Sequence, residues 1–436
     1  MKANLENASL QEKGCRSLAE LAVDEGNRVS IATAGGVAVL VDAMKGFPAV
    51  AGVQEMGCRA LGRLALNNDA IRDSIASSGG IAVILGAMKG HLAMAGVQEC
   101  GCLALGILAS RKDAIRDSIA ASGGIAVILG AMTRHPAVRG VQEYGCRALG
   151  NVAVSNDAIR DSIAAEGGIA VIIDAMKEHA AVAGVQENGC DALGNLAWNN
   201  DTNCVSIGKA GGIAVILDAI RQHPSVSDVQ ASGCNALANL AASVDANCVR
   251  IAEAGGIAEI LSAMRRHTAV ADVQARGCEA IANLAVNNDA NRGRIIEMEG
   301  IAVVQEAMKQ HANSPDVQEY GSKALANLQA AGGSAPTEAD NGAVALGENG
   351  RETAANGPED VVVVTTIHTA AEAPLVTSSS TQPRGAASEN AATPDSAESV
   401  GQEQKKSTSL SSIWSYLKRK GAPPGPPPPG GTTPGQ

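Results

Sequence analysis

Val53-Gln54-Glu55-Met56-Gly57-Cys58-Arg59-Ala60-Leu61-Gly62 returns as Val141 to Gly150 with one change, Tyr144 in place of Met56. Related copies begin at Val97, Val185, Val229, Val273 and Val317, so that with Val53 and Val141 the series steps by 44 residues throughout. Paired glycines keep the same step, from Gly79-Gly80 to Gly255-Gly256, and so do His91, His135, His179, His223, His267 and His311. The octapeptide Asp-Ala-Ile-Arg-Asp-Ser-Ile-Ala stands unchanged at 69–76, 113–120 and 157–164. A fixed period of this length marks a stack of like units, each burying its apolar face against the next. A partial copy, Leu10 to Ala22, opens the series, which ends near Leu328.

One unit reads as three helices. Asn68 or Asp69 caps a short helix through Ile75, and Gly79-Gly80 ends it, because glycine takes the left-handed geometry of a helix end without steric cost. Ile81 to Met88 is apolar on nearly all sides, as suits a helix held between layers. From Val97 to about Ala109, Val97, Gly101, Ala104, Leu105 and Leu108 follow the spacing of one buried helical face. No stretch of the unit alternates with period two, so a β reading fails. Composition agrees: the 436 residues hold one Phe, three Tyr and two Trp against 45% hydrophobic content, so the core is built from thin layers of Ala, Val, Ile and Leu.

The order Val-Gln-Glu, Cys-x-Ala-Leu-x-Asn-Leu-Ala, Asn-Asp and Gly-Gly-Ile resembles the armadillo repeat family, over roughly residues 8–330. The Gly-Cys of the third helix and the Ala-Met before a basic-His pair resemble protist and algal armadillo proteins and the armadillo segment of leucine-rich-repeat kinases. The resemblance implies an all-α, right-handed armadillo superhelical solenoid of about 7–8 three-helix repeats, spanning 1–330. Beyond it, residues 331–436 lose the period and fill with Gly, Ser, Thr, Pro, Ala and Glu, a composition expected to stay disordered. Within this tail, 411–420 is aromatic and basic, with Trp414, Tyr416, Lys418, Arg419 and Lys420 as a docking candidate, and 423–434 is Pro-rich, a ligand for an SH3, WW or profilin-like domain.

Several function classes are disfavoured. A formal charge of −11 removes the general basis for nucleic-acid binding. No apolar run reaches the length of a membrane span, and the first residues lack a signal peptide's apolar core, so the expected compartment is cytoplasm, with the nucleus second. Walker loops, His-Glu-x-x-His, Gly-x-Ser-x-Gly and Cys-x-x-Cys are absent, so no enzyme, cofactor or metal is expected. Cys58, Cys102, Cys146, Cys190, Cys234 and Cys278 occupy one slot in successive layers, which lie about 8–10 Å apart, too far for a disulfide. They read as reduced packing residues. One histidine per layer cannot assemble a metal site and reads as a helix-exit residue meeting exposed carbonyls.

The third helix carries the functional hint. If Val97, Leu105 and Leu108 face inward, the opposite faces of successive third helices line one concave groove. The slot before the final Leu-Ala runs Glu20, Arg63, Ile107, Asn151, Asn195, Asn239, Asn283, Asn327. An Asn amide both donates and accepts, so such a ladder suits an extended peptide backbone, although the same residues also suit bonds within the array. In the family's nuclear import receptors Asn at this register holds the cargo backbone. Those receptors place Trp four residues earlier, where this chain has Arg16, Arg59, Leu103, Arg147, Asp191, Asn235, Glu279 and Lys323. Glu12, Glu55 and Glu143 stand four residues before Arg16, Arg59 and Arg147 and read as solvated helix pairs. The preceding slot is always Ala or Gly, leaving room for a partner backbone to approach. Trp198 reads as a rim anchor or a core residue. The expected function is a monomeric, non-catalytic scaffold holding an extended or helical protein segment in this groove. A nuclear transport adaptor and a targeting subunit acting through the tail are the alternatives.

Overall fold

The computed structural model describes Met1, residues 6–154 and residues 156–330. The expectations for the tail, including Trp414, Tyr416, Lys418, Arg419, Lys420 and the Pro-rich end, lie outside the described residues.

A lone helix, α1 (Ala8–Leu21), precedes seven triplets. The first three triplets are α2 (Glu25–Thr33), α3 (Gly36–Gly46), α4 (Ala51–Leu64); α5 (Asp69–Ser77), α6 (Gly80–Gly90), α7 (Ala95–Ala109); and α8 (Asp113–Ala121), α9 (Gly124–Arg134), α10 (Arg139–Val152). The middle two are α11 (Asp157–Ala165), α12 (Gly168–Glu178), α13 (Ala183–Ala197), and α14 (Asp201–Lys209), α15 (Gly212–Gln222), α16 (Ser227–Ala241). The last two are α17 (Asp245–Glu253), α18 (Gly256–Arg266), α19 (Ala271–Ala285), and α20 (Asp289–Glu297), α21 (Gly300–Gln310), α22 (Pro315–Gln329). No strand occurs among the described residues.

Local chemistry starts and stops these helices as the repeat unit requires. The Asn68 side chain accepts from the Ile71 N–H at 3.0 Å, occupying one of the orphan donors at the start of α5. Gly79 then turns the chain at φ 81°, between α5 and α6. In the last triplet that left-handed turn falls on Glu299, at φ 59°, a conformation that costs a residue with a Cβ about 1–2 kcal/mol.

Each third helix packs on the third helix of the next layer. At Gly150 the approach is so close that a Cβ would lie 3.1 Å from the Ala192 Cα. The core runs continuously through the layers in Leu, Ile, Val, Ala and Met side chains, with Leu61, Leu105, Ile84, Ile128 and Met88 fully enclosed. Each such aliphatic side chain contributes about 1.5–3 kcal/mol of burial.

Two polar ladders close the backbone at the layer edges. Gln54 is buried, and its Nε2 donates to the carbonyls of Met44 at 2.9 Å and Phe47 at 2.8 Å, which capping would otherwise leave open at the end of α3. Gln98, Gln142, Gln186, Gln230, Gln274 and Gln318 repeat this arrangement. The histidines sit at the exits of the second helices, as the sequence suggests. Each reaches further than expected, however: His91 Nε2 donates to the Pro48 carbonyl of the preceding layer at 2.8 Å, and His135, His179, His223, His267 and His311 do the same one layer on. A carbonyl only accepts, so Nε2 carries the proton.

Candidate partner-binding groove

On a third helix, positions three and seven residues apart share one face. The residue before each Gly-Cys, the residue after the Cys and the Asn slot therefore line up, and stacking repeats this face layer by layer. Tyr144, Arg147 and Asn151 illustrate the set on α10; Arg276, Glu279 and Asn283 on α19.

All five asparagines of the ladder are engaged across layers. Asn151 Nδ2 donates to the Gly106 carbonyl at 2.8 Å and Asn195 to Gly150 at 3.1 Å. Asn239 donates to Gly194 at 3.0 Å, Asn283 to Ala238 at 2.9 Å and Asn327 to Ala282 at 3.0 Å. The α-helix makes those carbonyls accessible because the slot's Gly or Ala leaves them unshielded. Two layers before the ladder, Arg63 fills the same role, its guanidinium donating to the Ala19 carbonyl at 2.9 Å. Asn195 is buried; the other four are half-buried.

The small slot before each Asn serves the array itself. Gly62, Gly150 and Gly194 lie against the backbone of Ala104, Ala192 and Ala236 in the next third helix. The expectation that this slot leaves room for a partner backbone is therefore corrected: the neighbouring layer already fills it.

Charge changes along the face. At the start, Arg16 bridges Glu12 at 3.1 Å and Arg59 bridges Glu55 at 3.6 Å. Arg59 Nε also donates to the Cys100 Sγ at 3.4 Å, tying it to the next layer. The third expected pair is corrected: Glu143 bridges Arg139 at 3.5 Å, one turn earlier in α10. Arg147 instead lies half-buried in the field of Glu187, Tyr144, Glu143 and Asp191; burial leads in depressing its pKa.

Further along, carboxylates dominate. Burial, with help from Asp191 and Asp228, pushes Glu187 up to about 8. Burial likewise lifts Asp191 to about 6, with the Ser232 hydroxyl and the Arg276 guanidinium acting against the rise and Asp272 and Asp228 reinforcing it. Arg276 bridges Glu279 at 2.9 Å and Asp272 at 3.6 Å.

Trp198 stands at the exit of α13, half-buried, with the Arg160 guanidinium 5.6 Å from its ring centroid. It shares a wide recess with Asn239, Glu279, Asn283, Tyr320 and Lys323. The structure thus brings Trp198 together with the later part of the ladder. Asn235 lines a smaller recess with Asp191 and Asn195, whereas Arg59 and Arg63 lie at the other end of the array.

Ser232, Tyr320, Asp272 and Arg276 also belong to this surface, although the sequence pattern did not single them out. Their signal was available for three of them: Ser232, Arg276 and Tyr320 hold the position just before Gly in the repeated motif, on the same helical face as the asparagines. Glu187 holds the Glu of the Val-Gln-Glu motif, which the helical spacing places on the groove side; Asp272 falls at the helix entry, where only the stacked geometry discloses that it turns toward the groove.

Among known families, the LRRK2 ARM repeat model matches residues 131–304, and the same period continues on both sides of that stretch. The fold of this chain is an armadillo-repeat solenoid, and that stretch matches the armadillo family model. Its array is similar in structure to two engineered proteins, targets OR329 and OR366 of the Northeast Structural Genomics Consortium. The first is 25% identical at a TM-score of 0.51, over 57% of this chain and 97% of that one. The second is 21% identical at a TM-score of 0.52, over 57% of this chain and 98% of that one, a likeness of fold alone. No curated protein matches the sequence. Among the described residues of the armadillo array, all ten cysteines are free and buried, no helix is long and apolar enough to cross a membrane, and no cluster of His, Cys, Asp and Glu could hold a metal ion.

Proposed function

We propose that the protein is a non-catalytic receptor that holds an extended segment of a partner protein along the concave face of its third helices, centred on Asn195, Asn239 and Asn283. The observation that carries this reading is the orientation of the asparagine amides. Each spends one Nδ2 hydrogen on a carbonyl of the preceding layer, and that bond fixes the amide plane. The second Nδ2 hydrogen and Oδ1 remain, one donor and one acceptor per layer, which is what a passing peptide unit requires. Fixing the amide beforehand reduces the ordering entropy that binding would otherwise cost.

Recognition of basic import signals by aromatic slots draws no support here. The register four residues before the asparagines carries Arg147, Asp191, Asn235, Glu279 and Lys323, and none of these offers a flat hydrophobic wall.

Photo-crosslinking in the full chain tests the proposal. A benzophenone amino acid at Asn235 or Lys323, on the third helices, should capture a partner peptide. The same group at the exposed Asp42 or Asp174, on second helices, should not. Equal capture from both sets would overturn the assignment of the groove.

A further inference from the structure

Each layer of the array is covered by the one that follows, up to the layer of α20, α21 and α22. Ile257, Met264 and Ile281 are enclosed, whereas their counterparts one period on, Ile301, Met308 and Leu325, are half-exposed. That difference marks the face a following layer would cover. Ile296 belongs to it too. A Cβ on Gly208, two periods earlier in the same register, would press on the Asn247 side chain of the next layer, and at Ile296 this register carries a large apolar side chain that is 43% exposed.

The face is not built for another layer of the same kind. Gln305, Ser322 and Gln329 stand where the preceding layer has Leu261, Cys278 and Ala285, so exposed polar side chains interrupt the apolar ones. A second copy stacked head to tail is disfavoured as well. It would set α1 on α22 with Glu20 in the slot from which Asn327 donates to the Ala282 carbonyl, and a carboxylate has nothing to donate. An occupant narrower than a layer fits better, and a single amphipathic helix meets that description.

The chain itself supplies one. Residues 331–436 leave from the end of α22, a helix that borders this face. Within them Leu410, Ile413, Trp414 and Leu417 stand at i, i+3, i+4 and i+7, the spacing of one apolar helical face. Thr408 or Ser409 suits the N-cap, Lys418, Arg419 and Lys420 suit the last turn, and Gly421 suits the exit. A helix this short is marginal alone in water and needs an apolar surface on which to form. Charge agrees with that placement. Glu306 and Glu319 are paired with Lys309 and Lys323, while Glu297 and Glu299, exposed at the exit of α20, carry negative charge for the segment's basic end. The roughly 80 residues between Ala330 and Leu410 are long enough to bring one to the other.

We propose that residues 408–421 dock in cis, as an amphipathic helix, on the open end face of the array. Leu410, Ile413, Trp414 and Leu417 cover Ile296, Ile301, Met308 and Leu325, and the basic end turns toward Glu297 and Glu299. The contact is independent of what the groove holds and leaves the concave face open.

Tryptophan fluorescence of the full chain carrying Trp198→Phe tests it, because Trp414 is then the sole tryptophan. Its emission should lie to the blue of that of a free peptide spanning 405–422, with quenching by acrylamide roughly threefold weaker, since a docked ring loses most of its contact with water. Leu325→Glu, on the array, and Leu417→Ser, in the segment, should each return both readings to those of the free peptide. Asn239→Ala with Asn283→Ala, in the groove, should leave them shifted. Melting curves establish that each variant is folded. In a second measurement, a benzophenone amino acid at the exposed Gln305 should crosslink to 408–421 of the same chain, and the same group at Leu10, on α1, should not.

Emission and quenching equal to those of the free peptide overturn the proposal. So does a shift that persists in Leu325→Glu, which would place the segment elsewhere, and a shift lost in the asparagine pair, which would place it in the groove. Crosslinks from Gln305 that join isotopically light to heavy chains would show docking between molecules and overturn the assignment in cis.

Discussion

Asn195 Nδ2 donates to the carbonyl of Gly150, one layer back and 45 residues earlier, at 3.1 Å. The bond joins a side chain that faces the groove to the backbone that builds it. The recognition proposed for the groove would therefore draw on the same amide as the stacking of the layers. Asn195→Ala removes the donor and leaves the Gly150 carbonyl without it, so urea unfolding should report a loss of about 0.5–1.5 kcal/mol. No change in midpoint would show that the interlayer bond contributes nothing, and binding defects in asparagine variants could then be read as contact losses alone.

Glu299 turns left-handed at φ 59° where the preceding units place glycine. Glu299→Gly relieves that conformation without touching the core. The array should gain about 0.5–1 kcal/mol, seen as a higher urea midpoint. A decrease would mean that the carboxylate has a role the backbone argument overlooks.

Stability should depend on pH through Glu187 and Asp191. Both are raised in the folded chain, to about 8 and about 6, from ordinary values of 4.5 and 3.8. Folding therefore favours their protonated forms. Their contribution is fully present below about pH 4 and is lost as pH rises, first through 6 and then through 8. The melting temperature should fall between pH 5.5 and 8.5. Glu187→Gln should flatten the upper part of that fall and melt about 2–4 °C above wild type at pH 8.5. An unchanged pH profile in the variant would place the titrating group elsewhere.

The cysteines should be inert in the folded array. Burial raises Cys102, Cys146, Cys234 and Cys278 to about 12, so thiolate is scarce at neutral pH. A thiol reagent such as DTNB at pH 7.5 should modify them only as the chain unfolds. Prompt reaction of the native protein would contradict the enclosed packing of these side chains.

The 44-residue period made the three-helix unit readable because every layer repeats the same glycine turn and the same apolar spacing. Asn68 as a cap and Gly79 as the turn follow from local backbone chemistry. That the asparagines could bond within the array was likewise readable, since an amide both donates and accepts, but only stacking reveals that the interlayer carbonyl lies within reach. The small slot was misread for a related reason. Gly150 carries no mark of which neighbour approaches it, and the answer, Ala192, comes from the packing of α10 on α13. Gln54 and its successors also went unassigned, although they recur in register, because a buried glutamine that caps its own unit's second helix has no distinctive neighbour in sequence. Asp272 and Ser232 lie 40 residues apart and meet only across layers.

The most direct test of a groove that grips a partner is quantitative pulldown mass spectrometry with the full chain, with residues 1–330, and with each carrying Asn195→Ala, Asn239→Ala and Asn283→Ala. A control variant, Gln142→Ala with Glu143 and Arg147 intact, removes a buried cap and matches the loss of stability without altering the asparagines. Partners should be retained by the control and lost from the triple variant. Partners that survive the triple variant as well as the control would contradict the account and leave the asparagine ladder with a purely structural role.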